Sequence, residues 1–119
     1  MEKNLRILGI DPGYGIVGVS IVEYIGNKFK LVYADAIKTQ PHSEFNERLV
    51  TIDREINEII EKYKPEVLSI EDLFFNTNTK TAIKVAQARG VLILAAKKRG
   101  MEVYEYTPLQ IKQGVAGYG

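Results

Sequence analysis

The sequence predicts an α/β protein in which a mixed five-stranded sheet carries helices on both faces. Three observations lead to this class. Two apolar runs each end in a carboxylate, which is typical of central strands. The first run is followed by two more strand-like segments joined by Gly26-Asn27, a pair that favours a tight antiparallel hairpin. Strand and helix patterns then alternate, which favours parallel strands with helices packed on the sheet.

The expected order of elements is β-β-β-α-β-α-β-α. The strands are predicted at residues 5–11, 16–24, 28–37, 67–71 and 102–106. A helix is predicted over 43–63 because apolar residues recur there at intervals of three and four, with Ser43 as its capping residue. A second helix is predicted over 79–99, ending before Gly100, and a third over about 108–115.

Length and composition limit the class of protein. The chain of 119 residues is enough for one domain with a single core, and 45% apolar with 26% charged residues is ordinary for a globular protein. The absence of cysteine excludes disulfides and thiolate metal sites. No apolar run is long enough to span a membrane, and the start has no signal-peptide pattern, so we expect a cytoplasmic protein without a membrane partner.

Charge is distributed unevenly along the chain. Residues 1–71 hold nine Lys/Arg and twelve Asp/Glu, whereas residues 72–119 hold seven Lys/Arg and three Asp/Glu. This asymmetry has two interpretations: a polyanion-binding face beside an acidic site, or a solvated surface with uneven charge. Charge alone favours the second.

Asp11 and Glu71 are the strongest candidates for a functional site, because of their positions at strand ends. Each ends an apolar strand, and if the two strands are adjacent both carboxylates project from one edge of the sheet. A cation relieves the repulsion between two neighbouring carboxylates, and oxygen ligands without Cys or nearby His favour Mg²⁺ or Mn²⁺ over zinc. Such a site suits phosphoryl transfer with two metal ions. The alternative is that each acid only terminates a strand.

A glycine-rich loop follows the first strand, at residues 12–18. It lacks the Gly-Lys-Ser/Thr of a Walker loop, and a strand instead of a helix is expected after it, which argues against a dinucleotide fingerprint. The loop is compatible with close approach of a phosphate, and also with a simple hairpin turn.

Further candidates lie after Glu71. Phe74 is expected to stack on bases and Phe75 to anchor the loop in the core, although both could be structural. Cations follow that could contact DNA phosphates, or could form an ordinary solvated face: Lys80, Lys84, Arg89 and Lys112.

Together these segments resemble the RuvC family of crossover-junction endodeoxyribonucleases. Any one matching piece is weak, but four occur in order and in register over the whole chain. They are Gly9-Ile10-Asp11-Pro12-Gly13 with Gly18, Ile70-Glu71-Asp72-Leu73-Phe74, Gln87-Ala88-Arg89-Gly90, and Ile111-Lys112-Gln113 with Gly117 and Gly119.

The resemblance implies an RNase H-like fold and a homodimer that nicks four-way DNA (Holliday) junctions symmetrically in recombination and repair. It implies two Mg²⁺ ions, which Mn²⁺ can replace, and branch-migration proteins as partners. It implies Asp11 and Glu71 as catalytic metal ligands, Phe74 as a base-contacting residue and Lys112 as a DNA-contacting residue.

The resemblance also implies residues that this sequence does not contain. Members of the family continue with a further lysine and a last helix that carries the remaining acidic metal ligands. We therefore expect residues 1–119 to form a C-terminally truncated nuclease domain that lacks this helix. The further acidic ligands are expected beyond Gly119, and cleavage by this chain alone is uncertain.

Two other functions compete with the nuclease. An actin-like ATPase or sugar kinase also opens with a strand, an Asp and a glycine-rich hairpin, but 119 residues are too few for its two lobes. A catalytically idle DNA-binding protein of the same fold would bind junctions without Mg²⁺-dependent nicking. Nucleotide binding tests the first alternative and a nicking assay tests the second.

Overall fold

The computed structural model describes residues 4–13, 15–40, 43–72 and 79–106. Five strands and two helices lie in these ranges. The strands are β1 (Leu5–Asp11), β2 (Ile16–Ile25), β3 (Lys28–Lys38), β4 (Val67–Glu71) and β5 (Glu102–Tyr106), and the helices are α1 (Phe45–Tyr63) and α2 (Thr79–Lys98). The helix predicted over 108–115 lies outside the described residues.

The sheet has the strand order β3-β2-β1-β4-β5 and is mixed, as the sequence predicts. β1, β2 and β3 form an antiparallel meander, whereas β4 and β5 run parallel to β1. The hairpin between β2 and β3 turns at Gly26 and Asn27, whose φ angles of 56° and 64° are those that a type I′ turn requires. The predicted meander and turn are therefore confirmed.

The core lies on one face of the sheet. The buried strand residues of the three central strands alternate with half-buried ones, so all of them point to the same side. They form one cluster with buried residues of both helices, which places α1 and α2 on that face. The opposite face carries partly exposed apolar side chains such as Leu5, Ile7 and Tyr24. A helix on that second face stays a prediction.

Helix α1 buries Ile52, Ile56 and Ile60, while Leu49, Ile59 and Tyr63, three of the residues that the sequence assigns to its inner face, are partly buried against the same core. The prediction of Ser43 as the capping residue is wrong. The N-cap is Glu44, and no side chain caps the helix. The Ser43 hydroxyl instead donates to the carbonyl of Gln40 at 2.6 Å, so it stabilises the turn before the helix.

Helix α2 is the more apolar of the two. It buries Ala88, Leu92, Ala95 and Ala96, and it ends before Gly100, whose φ of 75° is the left-handed conformation expected after a helix C-terminus. The second half of the helix is not enclosed on every side, because Leu94 remains 54% exposed. Within the described ranges, neither helix has the length and apolarity that crossing a membrane requires.

Two leucines of α2 allow a matched test of this packing. Leu92→Ala removes a side chain with no exposed surface and should reduce the free energy of unfolding by about 2–5 kcal/mol, since it leaves a cavity between the helix and the sheet. Leu94→Ala is the control, and its effect should stay below about 1 kcal/mol. Urea denaturation followed by circular dichroism measures both. Equal effects would contradict the packing described.

Candidate metal centre

Asp11 and Glu71 are brought together by the parallel pairing of β1 with β4. Ile10 is paired with Ile70, so the next residue on each strand lies at the same edge of the sheet. Both are the last residues of their strands. Asp11 is exposed and Glu71 is half-buried. The adjacency on which the predicted metal site depends is therefore present.

The two carboxyl groups are in direct contact. Burial raises the pKa of Glu71 most strongly, and a side-chain hydrogen bond with Asp11 and the negative charge of Asp11 raise it further. Two carboxylates that share one site cannot both ionise without cost. Glu71 therefore holds its proton more tightly than an isolated glutamate does, unless another cation takes the place of the proton.

The floor beside these carboxylates is made of small residues. A shallow depression of about 470 Å³ lies beside them. It is lined by three acids and by small and apolar residues: Asp11, Asp35, Glu71, Gly9, Gly18, Ser20, Ser69, Ile10 and Val19. Asp11 is paired with Gly18, and Gly9 with both serines, so these positions share one face of the sheet. Without bulky side chains at this point, a sugar-phosphate backbone can approach the carboxylates closely.

The glycine-rich loop links β1 to β2 as a hairpin, which confirms the simpler of its two interpretations. A Cβ atom at Gly13 would lie only 2.2 Å from the carbonyl oxygen of Ile16, so no larger residue fits without a backbone shift. Thr39 holds the other side of the loop, because its backbone N–H and its hydroxyl both donate to the carbonyl of Gly15 at 3.1 Å. The loop therefore fixes the backbone that follows Asp11.

The donor set fits a divalent cation. Two carboxylates at an open edge offer hard oxygen ligands, and the raised pKa of Glu71, caused by burial and by Asp11, indicates a place where positive charge is favoured. Among the residues with described positions, no group of three or more acidic, histidine or cysteine side chains forms a metal cluster. Asp11 and Glu71 would hold such a cation. The further ligands expected beyond Gly119 stay a prediction.

Lys80 and Lys84 lie on the part of α2 nearest this edge. The helix runs antiparallel to β4 and β5, so its first half lies at the end of the sheet where Asp11 and Glu71 are located. Both lysines are exposed, and the ammonium group of Lys84 lies 5.8 Å from the ring centroid of Phe45. The structure thus places them on the same end of the molecule as the acidic pair.

Arg89 has a different environment. Its side chain is only 13% exposed and points to the ends of β4 and β5. Its Nε donates to the backbone carbonyl of Glu71 at 3.2 Å, and one terminal nitrogen forms ion pairs with Asp72 and Glu105. Its contact with DNA stays a prediction. Phe74, Phe75 and Lys112 lie outside the described residues.

Sequence reasoning did not single out Glu105, Ser20 or Ser69. Ser69 precedes Glu71 by two residues, and this spacing in a strand predicts a common face. The position of Ser20 beside Gly9 depends on strand register, and the contact of Glu105 with Arg89 depends on how α2 lies against β5. No local pattern in the sequence encodes either one.

A carboxylate pair at the ends of adjacent strands of such a sheet is the arrangement of a metal-dependent nuclease of the RNase H-like fold. The sequence model of the family described as crossover junction endodeoxyribonuclease RuvC matches residues 7–119, and the chain belongs to this family.

The similarity extends to individual members of the family. The crossover junction endodeoxyribonuclease RuvC of Alkaliphilus oremlandii is 54% identical over 113 residues, which is 95% of this chain and 69% of the relative. That of Ruminiclostridium cellulolyticum is 50% identical over 113 residues, covering 95% and 68%. Thermus thermophilus RuvC, solved in complex with a Holliday junction substrate, superposes with a TM-score of 0.88 at 34% identity, covering 95% of this chain and 69% of that one.

The loop geometry predicts unequal effects at two glycines. Gly13→Ala should destabilise the protein by about 1–3 kcal/mol, because its Cβ would collide with the backbone of Ile16. Gly15→Ala is the matched control, since no atom lies within 4 Å of the position of its Cβ. Thermal unfolding measures both, and a Gly15→Ala variant that melts lower than Gly13→Ala would contradict the described loop.

The raised pKa of Glu71 predicts how stability depends on pH when no divalent cation is present. The folded chain binds this proton more tightly than the unfolded chain, so the stabilising contribution is complete below the ordinary pKa of Glu and is lost as pH rises through the raised pKa. Glu71→Gln stays neutral. Its melting temperature should exceed that of the wild type near neutral pH and converge with it in acid.

Two comparisons make the pH measurement specific to this pair. Glu58→Gln removes one charge from an exposed position of α1 and should not reproduce the pattern. Mg²⁺ should reduce the difference in melting temperature between Glu71→Gln and the wild type, because the cation stabilises the ionised pair. A Glu71→Gln variant that is less stable than the wild type at neutral pH without divalent cations would contradict repulsion within the pair.

Proposed function

We propose that this protein resolves four-way DNA junctions in recombination and repair, by nicking two opposed strands with divalent cations held in part by Asp11 and Glu71. The observation that carries the proposal is the contact between these two carboxyl groups, at the open edge of the sheet in a member of this nuclease family. The Thermus thermophilus relative solved with a Holliday junction substrate supports the choice of substrate.

The chemistry assigns different tasks to the two acids. Two Mg²⁺ ions, which Mn²⁺ can replace, would supply the positive charge that stabilises the attacking and leaving oxygens of an in-line displacement. Asp11, which is exposed, would present oxygens to both ions, and Glu71, which is half-buried, would hold one. The small residues beside them leave the scissile phosphate free to reach that position.

Contacts to DNA are proposed for residues around this edge. Lys80 and Lys84 are exposed cations at the end of α2 nearest the carboxylates, so they can neutralise phosphates on either side of the cleavage point. Phe74 follows Glu71 closely in the sequence and is proposed to stack on a base. Lys112 is proposed to contact the DNA backbone. Both of the latter assignments rest on the resemblance to the family.

Symmetric cleavage requires two active sites. We propose a homodimer, since two-fold protein symmetry matches the near-symmetry of a four-way junction and gives one cut on each of two opposed strands. Branch-migration proteins are proposed as partners, and the cytoplasm as the place of action. These assignments rest on what the family implies.

Asp11→Asn should lower the rate of junction cleavage by the full-length protein by about 10²-fold or more. The amide keeps the shape of the carboxylate but loses the charge that holds the cations, and cation stabilisation contributes several kcal/mol to the transition state. Nicking of a labelled synthetic junction in Mg²⁺ measures the rate, and Asp53→Asn on the exposed side of α1 is the control.

Junction binding in the absence of divalent cations should survive this substitution, because phosphate contacts come from other residues. A variant that nicks at the wild-type rate would refute the role of Asp11. A wild-type protein that binds junctions and never nicks them in Mg²⁺ or Mn²⁺ would support the idle DNA-binding alternative.

A further inference from the structure

Arg89 is almost enclosed, which is unusual for an arginine. Charged side chains are seldom buried unless they are paired, and on a helix they normally extend into water. Here only 13% of the side chain is exposed, and the residue follows the fully buried Ala88 in the middle of α2. The guanidinium is therefore held by specific partners.

Those partners lie on the ends of two adjacent strands. Arg89 donates to the carbonyl of Glu71 at 3.2 Å, forms an ion pair with Asp72 at 3.5 Å and forms another with Glu105. Asp72 also donates its backbone N–H to the carbonyl of Tyr106, so the same segment is tied to β5. One planar group thus connects α2 with the ends of β4 and β5.

Glu71 is the residue that most needs such a restraint. It is the last residue of β4, and strand ends are held by fewer hydrogen bonds than strand centres. Its side chain lies beside that of Asp11, because the residues before the two acids are paired and both acids line one depression. A donor on the Glu71 carbonyl restrains the backbone of this residue and, through it, the position of the side chain.

We infer that Arg89 is a positioning residue of the metal centre, holding the Glu71 backbone so that its carboxylate stays beside Asp11. This inference rests on the proposed function of the carboxylate pair. It assigns to Arg89 an effect through Glu71 instead of direct contact with DNA. Residues that orient metal ligands typically contribute about 10–100-fold to metal affinity.

A positioning role and a purely electrostatic role of Arg89 predict opposite effects of its substitution on cation binding. If Arg89 acted only through its charge, its removal would favour a cation at the nearby site, and Arg89→Lys would behave as the wild type. If Arg89 acts through its geometry, both Arg89→Lys and Arg89→Gln weaken cation binding, because neither can bond the Glu71 carbonyl, Asp72 and Glu105 at once.

The experiment measures Mn²⁺ binding by the full-length protein without DNA, from the electron paramagnetic resonance signal of free Mn²⁺. Arg89→Lys and Arg89→Gln should each bind Mn²⁺ about tenfold more weakly than the wild type. Arg99→Gln is the matched control: Arg99 follows the other end of α2 and pairs with Glu61, so the variant should bind as the wild type does. Circular dichroism melting confirms that each variant is folded at the temperature of the assay.

Glu105→Gln provides a second route to the same answer if the Arg89 variants fail to fold. Glu105 is a surface residue, and its substitution loosens Arg89 without removing it. Mn²⁺ affinity should fall by severalfold. Unchanged affinity in this variant and in any folded Arg89 variant would overturn the positioning role.

Two further comparisons distinguish a failure of this inference from a failure of the proposed function. Asp11→Asn must itself lose Mn²⁺ affinity; if it does not, the proposed metal site fails and the role of Arg89 fails with it. If Asp11→Asn loses affinity while both Arg89 variants keep it, only the positioning role is overturned. Junction affinity without divalent cations should change by less than about twofold in Arg89→Lys, whereas a large loss with unchanged Mn²⁺ binding would indicate direct contact with DNA.

Discussion

The parallel pairing of β1 with β4 is the constraint on which the rest of the structure depends. It joins a segment at the start of the chain to one some sixty residues later, and its register sets Ile10 beside Ile70. The apolar residues of both strands then face the same core, while Asp11 and Glu71 arrive at the same edge. A shift of this register by one residue would bury the carboxylates or separate them.

Several negatively charged side chains are concentrated at this edge of the sheet. Asp11, Glu71, Asp72 and Glu105 all lie at the ends of neighbouring strands. Arg89 pairs with Asp72 and Glu105 and donates to the backbone carbonyl of Glu71, so this arginine brings one positive charge to an edge that carries four carboxylates. The site is thus electrostatically incomplete in a way that favours a metal ion.

The two faces of the sheet differ in their side chains, because one forms the core and the other lies beside the carboxylates. The face covered by α1 and α2 is closely packed and contains almost all of the buried residues. The other face, next to the carboxylates, carries Gly9, Gly18, Ser20 and Ser69, which contribute little to a core. Gly9 also has little room for a side chain, since a Cβ atom there would lie 2.7 Å from the hydroxyl of Ser20. The small residues keep this face open beside the carboxylates.

The sequence by itself determined the five strands and the helices α1 and α2, the hairpin at Gly26-Asn27 and the pair Asp11 and Glu71. Periodicity, turn residues and strand ends are local properties of the chain. It misplaced the helix cap at Ser43, since the choice between capping and turn hydrogen bonds depends on the path of the chain before the helix. Only the tertiary structure decided that α1 and α2 share one face and that Arg89 lies against Glu71. Both depend on contacts between segments distant in sequence, and the strength of such contacts is set by packing and burial, which no local pattern records.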